Sequence, residues 1–207
     1  MKLDAVVYTV AGMAFGVILG WVIGAQQLGR TAPVPAAAPV AQSAPPANQP
    51  AGGRTAPVLD QARVDQLTST INGDPKNATA IVQLANVYFD AERFTDAISW
   101  YEKAVALDPK DADVSTDLGV SYYYTNRTDE ALKRFEESLK INPNHTKTLL
   151  NKGIVLAFGK EDLKGAAAQW QKVVELAPGT PEGEAAKRAL EGVAAAVHNN
   201  QAAPNQQ

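Results

Sequence analysis

Hydrophobic residues between positions 78 and 180 follow the period of amphipathic helices. In the first part of this region they recur at positions i, i+3, i+4 and i+7, namely Ile81, Leu84, Ala85 and Tyr88. A polar break at 90–93 precedes a second apolar stripe, formed by Ala97, Tyr101, Ala104 and Val105. The pattern predicts two helices joined by a short turn. Since neither helix can bury its stripe alone, we expect such hairpins to stack on one another.

Prolines set the length of the repeating unit. Pro75, Pro109 and Pro143 are spaced 34 residues apart, and Pro178 follows after 35. Each proline comes just after a predicted helix, which it cannot continue. A fixed period of this length predicts an all-α solenoid of stacked helix-turn-helix hairpins. The predicted repeats are residues 78–111, 112–145 and 146–180.

The units resemble tetratricopeptide repeats (TPRs). That family's pattern is W-x2-L-G-x2-Y, then A-x3-F, then P over 34 residues. The second unit matches it at Leu118, Gly119, Tyr122, Ala131, Phe135 and Pro143. The tryptophan is absent from all three units, and the third unit has Lys152 in place of the leucine and one residue inserted between Phe158 and Gly165. We expect the small residues Gly119 and Gly153 to lie where the two helices of a hairpin touch.

The repeats are bounded by shorter helical segments. Residues 58–75 predict one amphipathic helix that caps the front of the stack as a half-unit. At the other end, Thr180-Pro181-Glu182 has the residues of a helix start. It predicts a capping helix at 181–197. Residues 198–207, rich in Asn, Gln and Ala, are expected to be disordered.

The N-terminus predicts a membrane anchor within residues 1–27. Residues 5–25 carry no charge, and a helix of this length spans about 30 Å, the hydrocarbon thickness of a bilayer. A cleaved signal peptide is the alternative, although it normally has a more basic start and a shorter apolar core. Glycines recur every fourth residue, at Gly12, Gly16, Gly20 and Gly24. This spacing favours close packing with another membrane helix, including a homodimer. The general abundance of glycine in membrane helices is the other explanation.

A spacer at 28–57 separates the anchor from the repeats. It is rich in proline and alanine, so it cannot form a packed core and is predicted to be disordered. The order of anchor, spacer and repeats resembles bacterial assembly factors of cytochrome c maturation. That resemblance implies a single-pass protein of the bacterial inner membrane with a periplasmic TPR domain. It also implies apocytochrome tails or maturation subunits as partners.

The composition provides few parts for catalysis. The chain has no cysteine, two histidines and a net charge of −3, with no basic patch of the kind that nucleic-acid binding requires. Ligand spacings for a metal and glycine-rich phosphate loops are missing from the sequence. Glu136-Glu137 and Glu161-Asp162 are interpreted as solvated surface. We therefore expect no enzyme activity, cofactor, metal site or nucleic-acid partner.

Function is instead expected on the concave groove that the first helices of TPR hairpins line, the usual peptide-binding face of the family. The candidate groove residues are Val82, Asn86, Phe89, Thr116, Val120, Tyr123, Tyr124, Leu150, Ile154 and Phe158. The polar residues expected at the rim are Asp90, Asp113, Asp117, Lys147 and Asn151. Several groove residues are large and apolar, which favours a protein or peptide partner. The alternative is that a capping helix folds over the groove and buries some of them.

Some TPR co-chaperones clamp an acidic Glu-Glu-Val-Asp tail with Lys, Asn and Arg. Asn86, Lys147 and Asn151 fall at matching positions here, whereas Val82 and Asp117 depart from the clamp. An acidic tail is therefore not expected, and an extended or helical segment with apolar anchors suits the groove better. The sequence thus predicts a membrane-anchored scaffold that binds a partner in the groove. A structural organiser that acts mainly through its glycine-faced membrane helix is the alternative.

Overall fold

The computed structural model describes residues 57–202, with side chains for residues 57–196. All regular secondary structure in this range is helical, as predicted. The helices are α1 (Gln61–Gly73), α2 (Ala78–Asp90), α3 (Phe94–Leu107), α4 (Ala112–Tyr124), α5 (Thr128–Ile141), α6 (Thr146–Gly159), α7 (Leu163–Leu176) and α8 (Pro181–Ala202).

The predicted membrane anchor lies outside the described residues. The same holds for its four glycines (Gly12, Gly16, Gly20 and Gly24), for the spacer up to residue 56 and for residues 203–207. None of the helices between residues 57 and 202 combines the length and the apolar character needed to cross a bilayer.

The helices pair into three hairpins, α2–α3, α4–α5 and α6–α7. The second helix of each hairpin packs on the first helix of the next, and the first helices α4 and α6 also contact each other. Each hairpin therefore covers the apolar faces that its neighbour leaves open. This arrangement is the stack that the 34-residue period predicts.

Glycine allows the two helices of a hairpin to cross closely in the second and third repeats. A Cβ atom on Gly119 would lie 2.6 Å from Cε1 of Phe135, and one on Gly153 would lie 2.3 Å from Nε1 of Trp170. Both aromatic side chains are almost fully buried. The residues that match the family pattern most closely are therefore core residues, and function must depend on other positions.

The turn of the third hairpin accommodates the inserted residue. In the first two hairpins, a backbone N–H donates to the carbonyl five residues earlier. These bonds run from Arg93 to Tyr88 (2.8 Å) and from Arg127 to Tyr122 (2.9 Å). In the third hairpin, the backbone N–H of Asp162 donates to the carbonyl of Leu156, six residues earlier, at 2.9 Å. The extra residue lengthens α6 to 14 residues, against 13 in α2 and α4, and its last residue is Gly159.

The two terminal helices pack against the ends of the stack. At the front, α1 packs on α2 through the buried Val64, Leu67 and Ile71. At the rear, α8 packs on both α7 and α6, where a further first helix would lie. The hydroxyl of Thr180 accepts a hydrogen bond from the Gly183 N–H at 3.2 Å and caps this helix. The helix continues to Ala202, which corrects the predicted boundary at 197, because no helix-breaking proline follows until Pro204.

Candidate peptide-binding groove

The candidate groove residues occupy equivalent positions on α2, α4 and α6. Val82, Thr116 and Leu150 lie near the starts of these helices, Asn86, Val120 and Ile154 one turn later, and Phe89, Tyr123, Tyr124 and Phe158 near the ends. These three sets of residues differ in their exposure to solvent. The residues near the helix ends surround an open cavity, whereas several near the starts are buried.

Thr116, Leu150 and Ile154 do not line an open groove. Their side chains are 0%, 1% and 2% exposed. Leu150 and Ile154 belong to a core cluster that includes Ala185, Ala186 and Ala189 of α8. The prediction that these three residues face a partner is wrong, and at Leu150 and Ile154 the alternative of burial under the rear cap is correct. Asn151, expected at the rim, is also buried, and its amide donates to the Lys147 carbonyl at 2.8 Å.

Thr116 is buried in a cluster of hydroxyl groups that the sequence analysis missed. Its Oγ1 lies 2.6 Å from Oγ1 of Thr148 and 3.1 Å from Oγ of Ser138, and the latter two atoms are 2.7 Å apart. The carbonyl of Ala112 is within hydrogen-bond distance of both Thr116 and Ser138. The cluster joins α4, α5 and α6. The signal in the sequence was the placement of three Ser or Thr residues on otherwise apolar helix faces.

Three of the candidates, Phe89, Tyr123 and Tyr124, form an aromatic cluster with Phe94. Tyr124 stacks on Phe94 with 4.2 Å between ring centroids and 6° between planes. Phe89 contacts Tyr124 edge-on at 6.2 Å, and Tyr123 lies at the same distance from Tyr124. Phe94 was not predicted as part of this surface, because it begins the second helix of its hairpin. Burial raises the pKa of the Tyr124 hydroxyl to about 12, so Tyr124 stays neutral at physiological pH.

An open cavity of about 350 Å³ borders this cluster. Its lining residues are Tyr123, Tyr124, Asn126, Thr128, Phe158 and Gly159. A Cβ atom on Gly159 would lie 2.9 Å from Cγ2 of Thr128, so glycine at this position brings the end of α6 close to the start of α5. The volume is at the lower end of the range for ligand pockets. The cavity can therefore accept one large apolar side chain of a partner.

The start of α4 and the start of α6 carry a group of charges. Nζ of Lys147 lies 2.7 Å from Oδ1 of Asp117 and 3.7 Å from Oδ1 of Asp113. Nε2 of His145 lies 3.3 Å from Oδ1 of Asp113. The hydrogen bond with His145 lowers the pKa of Asp113. Burial raises the pKa of Asp117, although Lys147 opposes this shift.

Asp90 adds a carboxylate from the preceding repeat. It is the last residue of α2, is exposed, and has no ion-pair partner among residues 57–196. Partial burial and the negative charge of Asp117 raise its pKa. Nearby, the Tyr101 hydroxyl donates to Oδ1 of Asn86 at 2.6 Å. The pKa of Tyr101 is raised well above its ordinary value by burial and by the charges of Asp117 and Asp90. The negative charge of Asp117 in the second repeat therefore affects the pKa values of Asp90 and Tyr101 in the first repeat.

Neither a metal site nor an uncompensated polar core is present in the part of the chain with described side chains. It contains no group of three or more His and acidic residues placed to hold a metal ion. Every buried side-chain nitrogen or oxygen there has a hydrogen-bond partner. The groups on this surface that a ligand could contact are thus the aromatic cavity, the carboxylates of Asp90, Asp113 and Asp117, and Lys147, which is paired with the last two.

Two family models match this region of the chain. Both describe the tetratricopeptide repeat, one over residues 76–144 and the other over residues 116–181. Residues 76–181 belong to the tetratricopeptide-repeat family. The family predicted from the proline period and the Leu-Gly-Tyr, Ala-Phe and Pro matches is thereby confirmed. A comparison with curated proteins gives no significant match.

Solved structures share this TPR fold at low sequence identity. MamA has a TM-score of 0.54 and 18% identity, over 67% of this chain and 88% of that one. The first TPR domain of Spaghetti (RPAP3), bound to the HSP90 peptide SRMEEVD, has a TM-score of 0.54 and 23% identity, over 60% and 96%. SycD, a type III secretion translocator chaperone of Yersinia enterocolitica, has a TM-score of 0.55 and 18% identity, over 58% and 93%. At these identities the likeness establishes the fold alone.

Proposed function

We propose that the chain is a membrane-anchored, non-catalytic adaptor whose TPR domain holds a segment of a partner protein. The observation that carries this proposal is the open cavity between Tyr123, Tyr124 and Phe158. Aromatic side chains that served only the core would be expected to close such a space, since protein interiors are densely packed. An unfilled aromatic cavity on the groove side instead suits an inserted side chain.

The relatives are consistent with this use of the fold. The RPAP3 domain is described with a bound peptide, and SycD is described as a chaperone. A bound peptide and a chaperone role both involve contact with another polypeptide. We extend that general activity, and not their particular ligands, to this chain.

A capture experiment with the full-length chain tests the proposal. The partner bound by the wild type is cross-linked in membranes, and its yield is compared with that of Tyr123→Ala and Phe158→Ala. Loss of capture is expected for both variants, because each removes one wall of the cavity. Trp100→Ala is the matched control. Trp100 is a partly buried residue of α3, and Nζ of Lys103 lies 3.8 Å from the centroid of its ring. Trp100 does not line the cavity.

Stability must be measured alongside capture. If Tyr123→Ala lowers the melting temperature, Tyr123→Leu retains apolar packing while removing the ring. Capture that survives in Tyr123→Leu and in Phe158→Ala would contradict a role for the cavity. Equal loss in Trp100→Ala would show that general destabilisation, and not the groove, explains the result.

We also propose that residues 5–25 anchor the chain in a bacterial inner membrane and that the spacer presents the TPR domain to the periplasm. The support is the uncharged run of membrane-spanning length. A topology reporter fused after Gln207 tests the compartment. The layout resembles cytochrome c maturation factors, so assembly of an envelope complex is the proposed setting. The content of covalently bound haem in a deletion strain is the corresponding measurement.

The alternative function places the activity in the membrane helix. Glycines spaced four apart would let that helix pack against a copy of itself or another membrane helix. Replacing Gly16 and Gly20 by isoleucine blocks such packing and leaves the TPR domain unchanged. If partner recruitment survives in this variant, the helix serves as an anchor. If recruitment is lost while the cavity variants still bind, the organiser is the better description.

A further inference from the structure

We propose that the groove selects a partner segment that carries a large apolar side chain and, about 10 Å away, a lysine or arginine. This inference rests on the proposed peptide-binding function and specifies the chemistry of its ligand. The apolar side chain enters the cavity at Tyr123, Tyr124 and Phe158. The cation faces the carboxylates of Asp90 and Asp117.

The two halves of this site follow from the spacing along α4. Asp113, Asp117, Val120 and Tyr124 lie at positions i, i+4, i+7 and i+11, which places them on one face of the helix. The face is therefore acidic at its start and aromatic at its end. Seven residues separate Asp117 from Tyr124, and at 1.5 Å per residue this is about 10 Å along the helix axis.

The first repeat continues the same surface. Phe89 contacts the Tyr124 ring at 6.2 Å, and Asp90 follows it directly in the chain. Burial and the negative charge of Asp117 both raise the pKa of Asp90. The acidic part of the surface thus includes residues of the first two repeats, and the aromatic part includes residues of all three.

The charges on this surface do not balance. The three carboxylates are those of Asp90, Asp113 and Asp117. One lysine, Lys147, is paired with Asp117 at 2.7 Å and with Asp113 at 3.7 Å, and Nε2 of His145 lies 3.3 Å from Asp113. Asp90 has no ion pair within the described side chains. Its pKa is raised by partial burial and by Asp117, as expected for two like charges held near each other. A cation supplied by a ligand would relieve this repulsion, whereas an acidic ligand would increase it.

The same balance argues against an acidic peptide such as the one bound to RPAP3. That peptide, SRMEEVD, has three acidic side chains near its C-terminus. In this chain its carboxylates would meet the negative charges of Asp90, Asp113 and Asp117. Like charges placed opposite each other at an interface disfavour binding. We therefore expect the two TPR domains to differ in ligand charge although they share a fold.

The spacing also sets the order of residues in the ligand. An extended chain advances about 3.3–3.6 Å per residue, so three residues cover about 10 Å. A helical ligand would need about seven residues for the same distance. An extended partner should thus place its cation three positions from its apolar anchor.

A random-peptide library displayed on phage and selected on the full-length chain tests the inference. We expect enrichment of peptides that pair an aromatic or large aliphatic residue with Lys or Arg three positions away. The enriched peptide is then synthesised, and its affinity is measured by fluorescence anisotropy. Asp90→Lys should weaken binding by about tenfold, since it replaces attraction by repulsion at a largely exposed site.

The controls separate this inference from the proposed function. Glu175→Lys makes the same charge reversal at an exposed position of α7 and should leave the affinity unchanged. Asp90→Lys should remain folded, because it puts a cation beside Asp117. Enrichment of acidic peptides, or of apolar peptides without charge preference, would overturn the inference while keeping the groove. Failure to enrich any peptide that depends on Tyr123 would overturn both.

Discussion

Replacing Gly153 by alanine tests how the third hairpin is held together. The added Cβ would lie 2.3 Å from Nε1 and 2.7 Å from Cδ1 of Trp170. Trp170 cannot move away easily, because it is 1% exposed and its Nε1 donates a hydrogen bond to the Leu150 carbonyl at 3.1 Å. The single methyl group therefore overpacks the crossing and displaces the Trp170 ring from its hydrogen bond.

The expected loss of stability combines three terms. Overpacking a core position costs about 1–3 kcal/mol. Leaving the buried Trp170 N–H without its acceptor costs a further 1–3 kcal/mol or so. Alanine in place of glycine within a helix gains about 1 kcal/mol. We expect Gly153→Ala to lower the free energy of unfolding by about 3 kcal/mol, measured by urea unfolding followed by far-ultraviolet circular dichroism.

Two further variants make this test specific. Gly192→Ala, at an exposed site of α8 where a Cβ would contact nothing within 4 Å, should raise stability by about 0.5–1 kcal/mol. Trp170→Leu removes the ring atoms that the new Cβ would meet, so Gly153→Ala should be less damaging in that background by about 1 kcal/mol or more. The reasoning is refuted if Gly153→Ala is as stable as the wild type, or if the two changes are simply additive.

Four other substitutions test the turns and the charged surface by the same urea measurement. Glu92 and Asn126 both have left-handed backbone conformations, with φ of 56° and 62°; Glu92→Asn should stabilise the domain by about 0.5–1 kcal/mol and Asn126→Glu should destabilise it by a similar amount. Asp90 has a raised pKa, so its ionised form opposes folding and stability is lost as the pH rises through that pKa. Asp90→Asn should therefore be more stable than the wild type at neutral pH, with no advantage below about pH 4. Lys147→Met leaves Asp117 without the partner at 2.7 Å and should cost about 2–3 kcal/mol at neutral pH and less in acid; equal losses at both pH values would contradict this.

The repeat architecture could be predicted because it depends on local and periodic signals. Proline after a helix and glycine at a close crossing have the same meaning in each repeat, and Gly119 and Gly153 both contact the aromatic ring that the pattern pairs with them. The resemblance to TPRs rested on these residues. Family matches over residues 76–181 confirm the kind of repeat.

The groove was predicted less well because exposure depends on the neighbouring helix and not on residue type. Ile154 and Phe158 are both large apolar residues on one face of α6, one turn apart. The first is buried in the cluster that includes α8, and the second lines the open cavity. No local pattern distinguishes them, since the difference is set by where the capping helix crosses α6.

Val82, Thr116 and Leu150 occupy equivalent positions near the starts of the three first helices. Their burial limits where a partner can contact the groove. These residues begin equivalent first helices, yet one is apolar and partly buried, one is a buried hydroxyl and one is a buried leucine. The Thr116 side chain is buried against α6, where its hydroxyl is hydrogen-bonded to that of Thr148. Leu150 belongs to the core cluster that includes residues of α8. Stacking therefore buries this level of the groove in the second and third repeats. Apolar contacts with a partner are left to the helix ends, where Tyr124 and Phe158 line the cavity.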